Sequence, residues 1–200
     1  MKADIKYDNK KILILEAYHN LVAELGMENV SISKVAKEAN MPTSLIFYYF
    51  ENKQDLVYEL IDYLLERCNN ISIPDIDYSI DSVSERFVKF IDDILSIRGA
   101  IDIDSRVYFS CLNVALRDQK AREKFIYYIE QNDQKLLNTL KYFISHGAIH
   151  YENLEDAVSY ITVIINGLSD VYDFENNHDK FERLLNLYRN QIYTFLGFRA

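Results

Sequence analysis

Apolar and polar positions alternate along this chain with a helical period. In "NKKILILEAYHNLVAELG" apolar residues recur near i, i+3, i+4 and i+7 and stop at Gly26, a residue suited to ending a helix. The next run, "VSISKVAKEANM", predicts a helix of only two to three turns. Ser31 stands at its N-cap, Ile32, Val35, Ala36 and Ala39 form its inward face, and Asn40 can take the left-handed conformation that stops it. Pro42 cannot extend a helix backwards but suits the entry to another, so Pro42 or Thr43 caps "SLIFYYF". Two short helices meeting across a tight turn within about twenty residues make a helix-turn-helix. The small Ala36 lets them cross closely.

Beyond this, "NKQDLVYELIDYLLERCNN" predicts a long amphipathic helix with Leu56, Leu60, Tyr63, Leu64 and Arg67 along one side, able to bridge a head and a body. Helicity breaks at Pro74, the best boundary in the chain. Further helices are expected at about 80–97, 102–117, 120–146, 153–174 and 178–197, punctuated at Gly99 and Gly147. The segment "LEDAVSYITVIINGLSDVYDF" is apolar around much of its circumference and must be buried on several sides.

Composition agrees with an all-α fold: 5 Gly and 2 Pro leave little turn chemistry for many strands, and 49% hydrophobic content supports a sizeable core. The start, "MKADIKYDNKKIL", lacks a signal-peptide pattern and no apolar run is long enough to span a bilayer, so the expectation is a cytoplasmic protein with no membrane association. Cys68 and Cys111 show no pairing or zinc pattern and read as buried thiols in a reducing compartment. The net charge of −9 argues against strong general affinity for DNA, but residues 1–56 carry seven Lys against eight acids, a balance of −1. Local phosphate contacts are compatible with that balance if the Lys residues cluster.

The block Phe47-Tyr48-Tyr49-Phe50 cannot be core alone. Successive helical residues advance by about 100°, so four consecutive aromatics cover most of the circumference and some must face outward. The run "GMENVSISKVAKEANMPTSLIFYYFENKQDL" resembles the N-terminal domain of the tetracycline-repressor (TetR) family, gap-free over about a quarter of the chain. The resemblance implies an N-terminal three-helix helix-turn-helix domain (residues 1–56) followed by a helical ligand-binding and dimerisation domain (residues 57–200). It implies double-stranded DNA as partner: Ile46 and Phe50 anchor the recognition helix, Thr43, Ser44 and Tyr49 face base edges or nearby phosphates, and Tyr48 and Lys53 reach phosphates. Ser33 matches a position that contacts DNA in some members. Phe47 stands where many members carry Tyr, and packs on sugar or neighbours instead. Ser44 stands where many carry Gly.

The same resemblance implies a homodimer through residues of about 153–197 and a pocket for a small, mostly apolar ligand. The polar residues on apolar helices that could line it are Arg106, Tyr108, Cys111, Asn113, Tyr142, His146, Tyr160 and Asn166. The expected function is a repressor released from a palindromic operator by that ligand. The expectation includes no cofactor and no enzymatic activity, since the chain carries no Gly-rich phosphate loop, nucleophile elbow or Cys-x-x-Cys. Two alternatives are a helical protein-binding adaptor and a small metal-dependent enzyme using His146 and His150, a pair interrupted by Gly147 and lacking a third ligand at motif-like spacing.

Overall fold

The computed structural model describes residues 8–69, 72–96, 103–174 and 177–198, and among these every regular element is helical. Nine α-helices are seen there: α1 (Asn9–Leu25), α2 (Ile32–Glu38), α3 (Thr43–Tyr49), α4 (Lys53–Asn69), α5 (Val83–Leu95), α6 (Ser105–Ala115), α7 (Gln119–Ser145), α8 (Leu154–Phe174) and α9 (His178–Phe195). They match the predicted spans to within a few residues. Gly99, expected to punctuate the chain, lies outside the described residues. None of the described helices is long and apolar enough to cross a membrane.

The chain forms two compact units. The first comprises Met1–Arg67 and Ile103–Tyr127, the second Cys68–Asp102 and Tyr128–Ala200. Helix α6 packs on α1 and lies with it in the first unit.

Local chemistry sets the ends of the first helices. Asp8 caps α1, its Oδ1 accepting the Lys10 backbone N–H at 2.6 Å. Ser31 caps α2 by accepting the Lys34 N–H at 3.4 Å. At the far end of α2, Asn40 takes the left-handed conformation (φ 51°), and two reversed bonds close the turn: Met41 N–H to the Ala36 carbonyl at 2.9 Å and Asn40 N–H to Lys37 at 3.1 Å. Asn tolerates this φ better than most residues with a Cβ, so the sharp turn needs no glycine. The entry to α4 is held reciprocally, Asn52 Oδ1 accepting the Asp55 N–H at 3.0 Å while Asp55 accepts the Glu51 N–H at 3.2 Å.

The core of the first unit gathers Ile14, Leu15, Tyr18 and Val22 of α1, Val35 and Ala36 of α2, Ile46 of α3, Leu56 and Leu60 of α4, and Val107 and Cys111 of α6. The α6 residues follow the i, i+4 spacing that presents one face to α1. Burial drives the Cys111 thiol up to about 12, so the sulfur is a neutral core group. Burial also raises the neighbouring Tyr18 phenol above its ordinary value, and its buried oxygen makes no hydrogen bond to another described protein group.

The second unit has its own core, built from Phe87, Phe90, Ile91 and Ile94 of α5, Leu136, Leu140 and Phe143 of α7, Ile161, Ile164 and Leu168 of α8, and Leu185 and Ile192 of α9. Each fully buried Phe or Ile contributes roughly 1.5–3 kcal/mol relative to exposure. The chain after α9 folds back so that the His150 N–H donates to the Leu196 carbonyl at 2.9 Å. Gly197 is required there: its φ is 62°, and a Cβ would lie 2.8 Å from the His150 carbonyl oxygen.

Candidate nucleic-acid interface

Helix α3 is seven residues long, and its two sides differ sharply. Ile46, and Phe50 just after it, are buried, while Thr43, Ser44, Phe47 and Tyr48 are exposed, Tyr48 to 79%. Leaving a Tyr ring that open costs hydrophobic burial, and no described residue of the first unit covers it. The expected split of the aromatic block is therefore seen: Phe50 inward, beneath the Lys11 ammonium at 5.6 Å, and Phe47 and Tyr48 outward. Ser33 is also exposed, its hydroxyl 3.0 Å from that of Ser31.

Two residues expected at DNA are engaged within the chain. The Tyr49 hydroxyl donates to Asp8 Oδ2 at 2.5 Å, and its ring meets that of Tyr48 edge-on at 5.1 Å. The hydrogen bond to Asp8, more than partial burial, pushes the Tyr49 phenol up to about 12, and in turn holds the Asp8 carboxyl below its usual range. Lys53 Nζ donates to the Met27 carbonyl at 2.9 Å and to Glu28 at 3.3 Å, tying the start of α4 to the 3₁₀ turn Met27–Asn29. Similarly, Lys34 Nζ donates to the Asn29 carbonyl at 2.9 Å. Asp8 was legible in the sequence only as one of eight N-terminal acids, since its partner lies 41 positions away.

Further side-chain links hold helix α4 within the first unit. Lys11 pairs with Glu59 at 2.8 Å, Tyr58 donates to Asp118 at 2.8 Å, and Lys124 pairs with Asp62 at 2.6 Å.

The residues considered for a ligand pocket divide between the units. In the first, exposed Arg106 pairs with Asp104 at 2.6 Å, Tyr108 packs edge-on against Phe125, and Cys111 is buried. Arg106 and the exposed Asn113 line an open cleft of about 1020 Å³ together with Lys53, Phe109, Val114 and Arg117. In the second, the Tyr142 hydroxyl accepts from Arg86 at 2.7 Å and its ring lies 4.2 Å from that of His146. Tyr160 stacks on Phe195 at 4.1 Å, and Asn166 is exposed on α8. Neither unit gathers the whole set. Among the described residues no three His, Cys, Asp or Glu side chains come together as a metal site, and Gly147, between His146 and His150, turns the backbone to φ 77°.

Residues 14–60 match the sequence model of the bacterial regulatory proteins of the tetR family, and residues 82–198 that of the tetracyclin repressor-like C-terminal domain. An HTH-type transcriptional regulator of Staphylococcus aureus (strain USA300) is 34% identical over 61 residues, 30% of this chain and 32% of that protein. Counterparts in strains COL and N315 give the same figures, so the chain spans about a third of the length of these relatives. Among solved structures, a TetR transcription regulator from Haloarcula marismortui superposes with a TM-score of 0.76 at 20% identity, covering 96% of this chain and 98% of that one. The fatty acid degradation regulator FadR from Bacillus halodurans gives 0.69 at 18%, covering 97% and 100%. A regulator from Saccharomonospora viridis in complex with choline gives 0.73 at 18%, covering 92% and 95%. These likenesses establish the fold. The C-terminal match alone spans more than half of the 200 residues, and the chain belongs to the tetR family of bacterial regulatory proteins.

Proposed function

We propose that the protein is a cytoplasmic transcriptional regulator that binds double-stranded operator DNA as a homodimer and is released from it by a small, mostly apolar ligand. The observation that carries the reading is the two-sided α3, anchored by Ile46 and Phe50 while Thr43, Ser44, Phe47 and Tyr48 stand open to solvent. Residues 1–56 form the DNA-reading part and residues 57–200 the ligand-binding and dimerisation part. In the complex, Thr43 and Ser44 read base edges, Phe47 packs on sugar, and Tyr48 and Ser33 donate to phosphates. Lys53 exchanges the carbonyls of Met27 and Glu28 for a phosphate.

Dimerisation through α8 and α9 is supported by apolar side chains that the chain leaves uncovered, Val163 at 71% and Leu187 at 48%. Gly167, one turn from Val163, has open space around it, and an exposed glycine inside a helix costs roughly 1 kcal/mol unless close approach of another backbone uses the missing side chain. Two recognition helices on a two-fold axis then read a palindrome.

Regulation requires a ligand that binds better to a conformer in which the recognition helices no longer fit successive major grooves. A coupling of about 1–3 kcal/mol is typical of such linkage. Support for a ligand comes from the Saccharomonospora viridis neighbour, which holds choline. Arg106, Tyr108, Asn113, Tyr142, His146 and Asn166 are the residues to test for it, and α4 is the lever.

Selection of bound fragments from genomic DNA by the full-length protein tests the reading. Near-palindromic sites, half-sites about one helical turn apart and affinity falling steeply with salt are expected. A protein that ignores DNA at low salt would instead be an adaptor.

A further inference from the structure

The bond between Tyr49 and Asp8 ties the last residue of the recognition helix to the cap of α1. Its polarity is fixed, because an ionised carboxylate only accepts and the phenol must donate. Asp8 is itself held from two sides, Oδ1 by the Lys10 N–H at 2.6 Å and Oδ2 by Tyr49 at 2.5 Å. The Tyr49 ring is held edge-on by Tyr48. With its proton committed, the Tyr49 oxygen keeps only lone pairs to offer, beside a full negative charge.

DNA phosphates also present lone pairs and negative charge, so this pair is repelled where a free phenol would be welcome. Complementary partners in the major groove are the exocyclic amino groups, N6 of adenine and N4 of cytosine. We propose, resting on the DNA-binding reading above, that Asp8 is a specificity-determining residue: it turns Tyr49 from a phosphate donor into an acceptor for the amino group of adenine or cytosine. Capping α1 does not by itself demand an acid, since Asn caps a helix as well as Asp does. The acid is what commits the phenol proton.

The test is a random-sequence DNA selection with the full-length protein, run in parallel for wild type, Asp8→Asn, Asp8→Ala and Tyr49→Phe. Wild type should favour adenine or cytosine at one position of each half-site by about 5- to 100-fold. Asp8→Asn, which keeps the cap, and Tyr49→Phe should both flatten that position and leave the others unchanged. Asp8→Asn should also bind unrelated DNA more tightly. Operators carrying purine for adenine, or 2-pyrimidinone for cytosine, then identify which amino group is read: the relevant deletion weakens wild type and leaves Asp8→Asn unaffected. Specific binding with the same motif in wild type, Asp8→Asn and Tyr49→Phe would overturn the inference and leave the regulator reading standing. Absence of any salt-dependent DNA binding by wild type would remove that reading as well.

Discussion

Tyr58 donates its hydroxyl to Asp118 at 2.8 Å, and Lys120 stands over the Tyr58 ring at 4.4 Å, so α4 is fastened to the corner between α6 and α7. Tyr58→Phe and Asp118→Asn should each lower the melting temperature, and the double variant should lower it no further than the larger single effect. Circular-dichroism melts of the four proteins form the cycle. Simple additivity would show that the two side chains do not act as a pair. If α4 is the lever of regulation, both variants should also weaken the ligand's effect on operator affinity.

The same carboxylate gives a pH signature. The Ala121 N–H, then the Tyr58 hydroxyl, hold Asp118 below its usual value of 3.8. A depressed carboxyl stabilises the fold above its unfolded value, and that contribution is lost as pH falls through the native one. Stability should therefore decline below about pH 4, and Asp118→Asn should make the acid limb shallower. An unchanged acid limb in that variant would mean other carboxylates dominate acid unfolding.

On the DNA face, Tyr48→Phe should weaken binding to every sequence about equally, because one phosphate donor is lost. Lys53→Ala should do likewise and reduce the slope of log affinity against log salt by about one. Changes at Thr43 or Ser44 should instead alter base preference, by roughly 1–3 kcal/mol where a base contact is made. Competition binding against scrambled DNA separates the two patterns. A uniform loss from all four substitutions would refute these roles.

For assembly, the structure changes which side chains to alter. Ile164 and Leu168, inside the segment of about 153–197 expected to form the dimer, are 8% and 3% exposed and part of the second unit's own core. Ile164→Glu or Leu168→Glu should unfold that unit, costing about 3 kcal/mol or more through an unpaired buried charge. Val163→Glu and Leu187→Glu should leave the fold intact and yield monomers with reduced operator affinity. Sedimentation velocity beside thermal melts distinguishes these outcomes, and a folded dimer of the Val163→Glu, Leu187→Glu double variant would exclude this face.

Cys111 should be inert in the native protein. Its thiol, raised to about 12 against an ordinary 9.0, stays neutral, and only unfolding exposes it. Modification by a disulfide reagent at pH 8 should therefore follow the unfolding rate as urea is varied. Because the folded value is raised, the associated stability is complete below pH 9 and declines as pH rises from there towards 12. Rapid labelling of Cys111 without denaturant would contradict its burial.

The helices themselves were legible in the sequence, because what starts and stops them is local. The capping hydroxyl of Ser31, the left-handed Asn40, Pro42 before α3 and the apolar period each act over a few residues. Simple geometry also required the aromatic block to look both ways. Tertiary packing decided which groups remain free to act. Tyr49 is committed to an acid 41 positions away and Lys53 to carbonyls 26 and 25 positions away, pairings that no local propensity encodes. Packing of α6 on α1 likewise placed residues 103–127 in the first unit rather than with the chain that follows them. On α8, Val163 and Ile164 are adjacent apolar residues with similar β-branched side chains. The 100° step between them puts one in solvent and the other in the core, and only the position of the neighbouring helices determines which is which.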